Sequence, residues 1–166
     1  HRITVPMDWC RVGQELSRTI SGGSMENHSV NAIGVWFYAM DTQRYLYLLR
    51  DDPKHPETWG LPGGKIEPGE TMLQAMQREC EEELGFMPDY IKLAPLEKFT
   101  SPDGVFSYHT FFCSVASEFH PQLNDEHVGW AWLNSGRWPK PMHPGLWSTV
   151  NFDAVRNKIR SIESTL

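Results

Sequence analysis

The segment that most restricts how this chain can fold is residues 63–86, GGKIEPGETMLQAMQRECEEELGF, which sets two glycines ahead of a helical pattern and fills that pattern with acids. Pro68, Gly69 and Thr71 mark a helix start and Gly85 its stop, which predicts a helix over 71–84. Advancing roughly 100° per residue, Met72, Leu73, Met76, Cys80 and Leu84 form one apolar stripe that should face a core. Gln74, Arg78 and Glu81 hold the opposite pole. Glu79 lies beside the stripe, Glu83 falls within its edge, and Glu82 flanks Glu79 on the far side. Related by i, i+3 and i, i+4 steps, these three carboxylates converge on one patch, and small Ala75 leaves room on the same face one turn earlier.

Carboxylates held this close repel or raise one another's pKa values unless a cation neutralises them. All-oxygen ligation selects a hard divalent ion, Mg²⁺ or Mn²⁺, over zinc, and Mg²⁺ keeps positions open for water and substrate phosphate. The residues therefore call for a phosphate ester or anhydride as substrate. Gly63 and Gly64 let the backbone approach a metal or phosphate with no Cβ in the way, and Pro62 and Pro68 stiffen the loop. A solvated helix face is the general reading of an acidic run. The position of these acids against the apolar stripe favours a site instead.

The 166 residues, 40% hydrophobic, suffice for one buried core and are too few for two ordinary domains. A net charge of −6 argues against a grip on nucleic acid polymers, which needs a basic patch. Cys10, Cys80 and Cys113 form no disulfide framework or zinc-finger spacing and fit a reducing compartment. The longest apolar run, 32–40, falls far short of a membrane span, so a soluble cytoplasmic protein is expected. Residues 1–25, which include a short helical pattern VGQELSRTI and end near SGGSM, read as an N-terminal arm or an expression remnant, and 26–166 as the working domain. SVNAIGVWFYAM and RYLYLLR predict a hairpin, DDPKHPETWGLPGG a loop, and YIKLAPLEKFT, VFSYHTFFCSVAS and HVGWAWLN three more strands. LWSTVNFDAVRNKIRSIES predicts one closing amphipathic helix. Strands, helix, strands, helix is the order of an α/β protein with a mixed sheet covered by helices.

These residues resemble the Nudix hydrolase family. Its box reads Gly, five residues, Glu, seven residues, Arg-Glu, an aliphatic residue, any residue, Glu-Glu, any residue, Gly and an apolar residue; here these are Gly64, Glu70, Arg78, Glu79, Cys80, Glu82, Glu83, Gly85 and Phe86. Cys80 stands where the family has Leu, Ile or Val, and its place on the apolar stripe predicts packing rather than chemistry. The resemblance implies an α/β/α sandwich with a mixed central sheet and a metal-dependent hydrolase of a nucleoside diphosphate linked to a second moiety. By position it makes Glu79, Glu82, Glu83 and the Gly64 carbonyl metal ligands, with Arg78 and Glu70 buttressing them. Candidates for the general base are Glu82 or Glu83 shared with the metal, Glu126 or Asp125 in QLNDEHVGWAW, and His143 in PMHPG.

The second moiety is less sharply written. Pro102 in TSPDG sits at the offset after the box that marks the ADP-ribose branch of the family, although Pro-Asp-Gly is also an ordinary β-turn. Trp59 is placed to stack on a base, as are Phe99, Phe106 or Tyr108. ADP-ribose or a sugar nucleotide thus leads, ahead of a nucleoside triphosphate such as a dNTP. A non-catalytic Nudix-fold nucleotide sensor is the rival from another class; such modules tend to lose box carboxylates, whereas Glu70, Glu79, Glu82 and Glu83 are all kept. A small nucleotide-derived ligand is the expected partner, and a homodimer stays open.

Overall fold

The computed structural model describes residues 29–166; the N-terminal arm and the helix expected at VGQELSRTI lie outside them. The element on which the rest is built is β1 (Val30–Ala39), whose alternation serves two faces at once. Ile33, Val35, Phe37 and Ala39 point into one apolar cluster with Ala75, Met76, Cys80 and Leu84 of helix α1 (Met72–Leu84). Trp36 and Tyr38 point into a second cluster with Leu146 and Val150 of α2 (Pro144–Val150) and Val155 and Ile159 of α3 (Asp153–Glu163). A strand apolar on both faces must be covered on both, and the result is the expected α/β/α sandwich.

The sheet is mixed. β1 runs parallel to β6 (Phe106–Val115) from Val30 opposite Phe106 to Ala39 opposite Val115, and β5 (Lys92–Thr100) pairs antiparallel with the far edge of β6. On its other edge β1 forms the predicted hairpin with β2 (Arg44–Arg50), but pairing is recorded only at Tyr38–Tyr45 and Ala39–Arg44. The two strands then diverge, and the segment expected to be loop fills the wedge with β3 (Trp59–Gly60) on β2 and β4 (Gly63–Lys65) on β1. Between them the Val35 N–H donates to the Pro62 carbonyl at 2.8 Å. β7 (His127–Asn134) closes the outer edge of β2.

Two expectations need correction. Met72 and Leu73 are exposed, because the first turn of α1 is not covered by the sheet and the buried stripe starts at Ala75. The closing helix is two helices, broken at Asn151 and Phe152, where Phe152 is extended. The break is stabilised by side chains that satisfy the end of α2: the Asn151 amide donates to the Trp147 carbonyl at 2.7 Å, and Arg156 Nε to the Val150 carbonyl at 2.7 Å.

Candidate active site

Helix α1 is held in register at both ends. Thr71 accepts from the Gln74 N–H at 3.1 Å while the Gln74 side chain accepts from the Thr71 N–H at 2.9 Å, a reciprocal cap. Gly85 ends the helix in the left-handed region at φ 85°. The acids of α1 are thereby fixed against the glycine loop. Glu83 is only 3% exposed, and its Oε2 accepts the Gly63 N–H at 2.7 Å. Burial pushes its carboxyl well above the ordinary range, and the charges of Glu79 and Glu126 push it further. Glu79, half-buried, is likewise raised, first by desolvation.

Arg78 organises the acids that face outward. Its Nε and Nη2 grip Glu70 at 2.8 and 3.0 Å, its Nη1 donates to Glu79 Oε1 at 2.9 Å, and Nη2 also donates to the Lys65 carbonyl at 2.9 Å. The fork fixes loop, β4 and helix to one another, and the hydrogen bonds from Arg78 hold the Glu70 carboxyl below its usual range. Glu82 stands farther out, with a side chain 56% exposed and 3.5 Å from Arg78 Nη1. The glycine pair is a steric requirement. At Gly63, φ 151°, a Cβ would strike the Ile33 carbonyl oxygen, and at Gly64 it would come within 2.5 Å of Glu79 Oε1.

Across from α1, β7 begins with a second set. Ligand atoms of Glu83, Glu126 and His127 all lie within 4.8 Å of one another, which sets Glu126 close to Glu83 of α1. His127 is 8% exposed, and its Nδ1 is buried with no hydrogen-bond partner. Desolvation, reinforced by the charge of Arg50, lowers its pKa to about 4, which leaves the ring neutral at pH 7. Arg50 itself pairs with Asp52, whose other oxygen accepts the N–H groups of Lys54 and His55. His143 caps α2 by accepting the Gly145 N–H on Nδ1 at 3.0 Å, meets His55 ring to ring at 4.5 Å, and is driven by burial to a pKa of about 3.

The glycine loop, Glu83 and the set across from α1 surround one cavity of about 670 Å³, while Glu70, Arg78, Glu79 and Glu82 are not among its lining residues. Glu83, Gly63, Gly64, Glu126 and His127 line it; Arg50, Asp52, Lys54, His55 and His143 give it a charged and polar wall, and Ala32, Phe106, Tyr108 and Leu146 an aromatic and apolar one. The structure thus brings together Glu83, Gly64, Glu126 and His143 from the sequence reading, with Glu79 touching Gly64 from behind. Trp59 and Pro102 are not among the lining residues. Trp59 packs into the α3-side core, and Pro102 lies in the β5–β6 turn closed by Gly104 N–H to the Ser101 carbonyl at 2.9 Å. Arg50, Asp52 and His55 were missed because a hairpin end followed by a proline-rich loop carries no motif.

The NUDIX domain profile matches residues 28–150. This chain belongs to the NUDIX family. Among relatives of the NUDIX chain, a Bacillus subtilis (strain 168) protein provisionally named 8-oxo-dGTP diphosphatase is 30% identical over 111 residues, covering 67% of this chain and 71% of that protein. The 8-oxo-dGDP phosphatase of Mus musculus is 49% identical over 41 residues, and this chain spans only 13% of its length and uses 25% of its own. The Nudix hydrolase RenU of M. smegmatis shares the fold at a TM-score of 0.59 and 22% identity, over 84% of this chain and 88% of that structure. As a NUDIX domain it is of the pyrophosphohydrolase type, in a family whose members act on nucleoside diphosphate derivatives or triphosphates. NUDIX hydrolases generally use a divalent metal, and these residues fit one: a buried carboxylate among like charges, a backbone cradle at Gly64 that a Cβ would fill, and a buried imidazole nitrogen without a partner. Among the described residues no helix is long and apolar enough to cross a membrane.

Proposed function

We propose that residues 26–166 form a metal-dependent hydrolase that cleaves the pyrophosphate bond of a nucleoside diphosphate joined to a second polar group, ADP-ribose or a sugar nucleotide being the leading substrates. The observation that carries this reading is the buried Glu83 carboxylate, facing Glu126 across a cavity whose two walls differ in chemistry. The aromatic wall at Phe106 and Tyr108 suits a base, and the polar wall at Asp52, His55 and His143 suits the hydroxyls of a sugar. A triphosphate would leave that second wall without hydroxyls to bind.

Glu79, Glu82, Glu83 and the Gly64 carbonyl would hold Mg²⁺ or Mn²⁺, which when bound supplies charge neutralisation on the phosphate oxygens and acidifies water. The chain's own groups do the rest. Arg78 and Glu70 keep the helix acids aimed at the loop. Gly63 N–H orients Glu83 by occupying one of its oxygens. Arg50, held by Asp52, lends positive charge to the polar wall of the cavity for the phosphate. Glu126, exposed and within reach of Glu83, receives the proton of the attacking water as general base, ahead of Asp125 and the metal-shared Glu82 or Glu83. His143 is better suited to substrate binding than to base work, since Nδ1 already accepts a hydrogen bond.

The dNTP reading stays as the second one, favoured by the provisional name of the Bacillus relative. A panel of ADP-ribose, NADH, sugar nucleotides, dinucleoside polyphosphates and dNTPs with Mg²⁺ or Mn²⁺, with products resolved by chromatography, separates the readings. Turnover of ADP-ribose or a sugar nucleotide at least tenfold above any dNTP supports the proposal; the reverse order favours the triphosphate, and tight binding without any turnover favours a sensor. Glu126→Gln should lower kcat by about 10²–10⁴ with KM nearly kept, and unchanged kcat would reject Glu126 as base. Buried, unpaired Cys80 and Cys113 support a reducing compartment such as the cytoplasm.

A further inference from the structure

Resting on the reading that Glu83 binds a divalent ion, we propose that His127, outside the family's motif, gives that ion a nitrogen ligand, so that the site favours first-row transition ions over Mg²⁺. From sequence the acids of α1 suggested all-oxygen ligation. The structure adds a different donor. The His127 ring is 8% exposed, and its buried Nδ1 has no partner among the described residues, so folding strips it of water without returning a hydrogen bond. A buried ring nitrogen left without a partner calls for something else to satisfy it.

Position decides what. Ligand atoms of His127, Glu83 and Glu126 fall within 4.8 Å of one another. Two atoms bound at about 2.1–2.2 Å to one ion stand roughly 3.0–4.4 Å apart, so a ring nitrogen of His127 and an oxygen of Glu83, already within 4.8 Å of each other, meet on one ion after a small side-chain closure, with Glu126 beside them as base. Glu83 keeps Oε1 available because Oε2 is held by the Gly63 N–H. His127 is also aimed by the backbone, since it opens β7 opposite Arg50 where the register with β2 shifts between Leu49 and Arg50. One imidazole among carboxylates moves a site from the hard end of the scale toward Mn²⁺, Fe²⁺, Co²⁺ and Zn²⁺, because Mg²⁺ gains little from nitrogen.

The test loads the full chain with Mn²⁺ and reads ¹⁴N couplings by electron spin echo envelope modulation, with Mg²⁺ competition monitored by the free Mn²⁺ signal. Wild-type protein should show imidazole modulation that is lost in His127→Gln and kept in His143→Asn, and the Mn²⁺ over Mg²⁺ preference should fall about tenfold or more in His127→Gln. Should His127→Gln fail to fold, ¹⁵N-histidine labelling of wild-type protein reads the same coupling. Modulation and preference unchanged in His127→Gln, or no histidine coupling in loaded wild type, overturns the proposal alone when Glu83→Gln still weakens Mn²⁺ binding. Mn²⁺ binding that is unaltered in Glu83→Gln overturns both this proposal and the metal reading beneath it.

Discussion

Arg78 divides one guanidinium among Glu70, Glu79 and the Lys65 carbonyl, three partners in three parts of the site. A lysine could keep the charge but has no planar fork, so it would satisfy one carboxylate and release the others. Arg78→Lys is expected to lower kcat/KM about 10–100-fold, the usual range for a group that orients metal ligands, with the thermal midpoint falling only a few degrees; steady-state kinetics beside a melting curve checks both. A variant within twofold of wild type would mean that Glu79 finds its place without the clamp. From the sequence, Arg78 was visible as the polar pole of a helix and as a position in the Nudix box. That its fork would bind Glu70 depended on Pro68 and Gly69 folding the loop back, which residue spacing alone does not encode. His127 was legible only as a residue next to Glu126, since the unsatisfied Nδ1 exists only once β7 is packed beside the wedge.

Among the elements, α1 was readable nearly to its ends because capping and stripe agree: Thr71 with Gln74 starts it and Gly85 stops it. The Gly85 stop can be tested directly. Alanine there must hold φ near 85° and bring a Cβ to 2.8 Å from the Gln122 Cβ, so Gly85→Ala should cost about 1–2 kcal/mol from backbone strain alone. Urea denaturation reads that loss, and a variant as stable as wild type would show that the helix ends otherwise. The wedge of β3 and β4 was not readable, because strands of two and three residues within a segment rich in Gly and Pro carry no alternation. They form because β1 and β2 part beyond Tyr38 and leave backbone groups that the 59–65 segment satisfies. The break between α2 and α3 escaped for a different reason: the apolar pattern runs through Asn151, and it is the side-chain caps from Asn151 and Arg156 onto the last carbonyls of α2 that make stopping cheaper than continuing.

At the scale of the whole molecule, two sets of buried groups pull stability in opposite directions with pH. The carboxyls of Glu79 and Glu83 are raised in the folded state, chiefly by burial. Without metal the folded chain therefore holds more protons than the unfolded one above the ordinary carboxylate range, and stability falls as pH rises through that window. His127 and His143, lowered to about 4 and about 3, act with the other sign: as pH falls below about 6.5 the unfolded chain takes up protons that the folded one refuses, and stability is lost. The carboxylates thus act without the histidines above about pH 6.5. In metal-free buffer Glu83→Gln should be more stable than wild type at pH 8, with the gap narrowing as pH falls toward the ordinary glutamate pKa, where the unfolded chain also begins to hold the Glu83 proton. Metal reverses the order. An ion at 100 times its Kd adds about 2.7 kcal/mol to the protein that binds it, roughly 5–10 °C in the thermal midpoint for a domain of this size. Wild type should gain that rise and Glu83→Gln should gain little of it, so the two melting curves cross when Mg²⁺ or Mn²⁺ is titrated at pH 8. Parallel curves with no crossing would mean that the buried carboxylate is a packing group and that the charge it shares with Glu79 and Glu126 is neutralised by protons rather than by an ion.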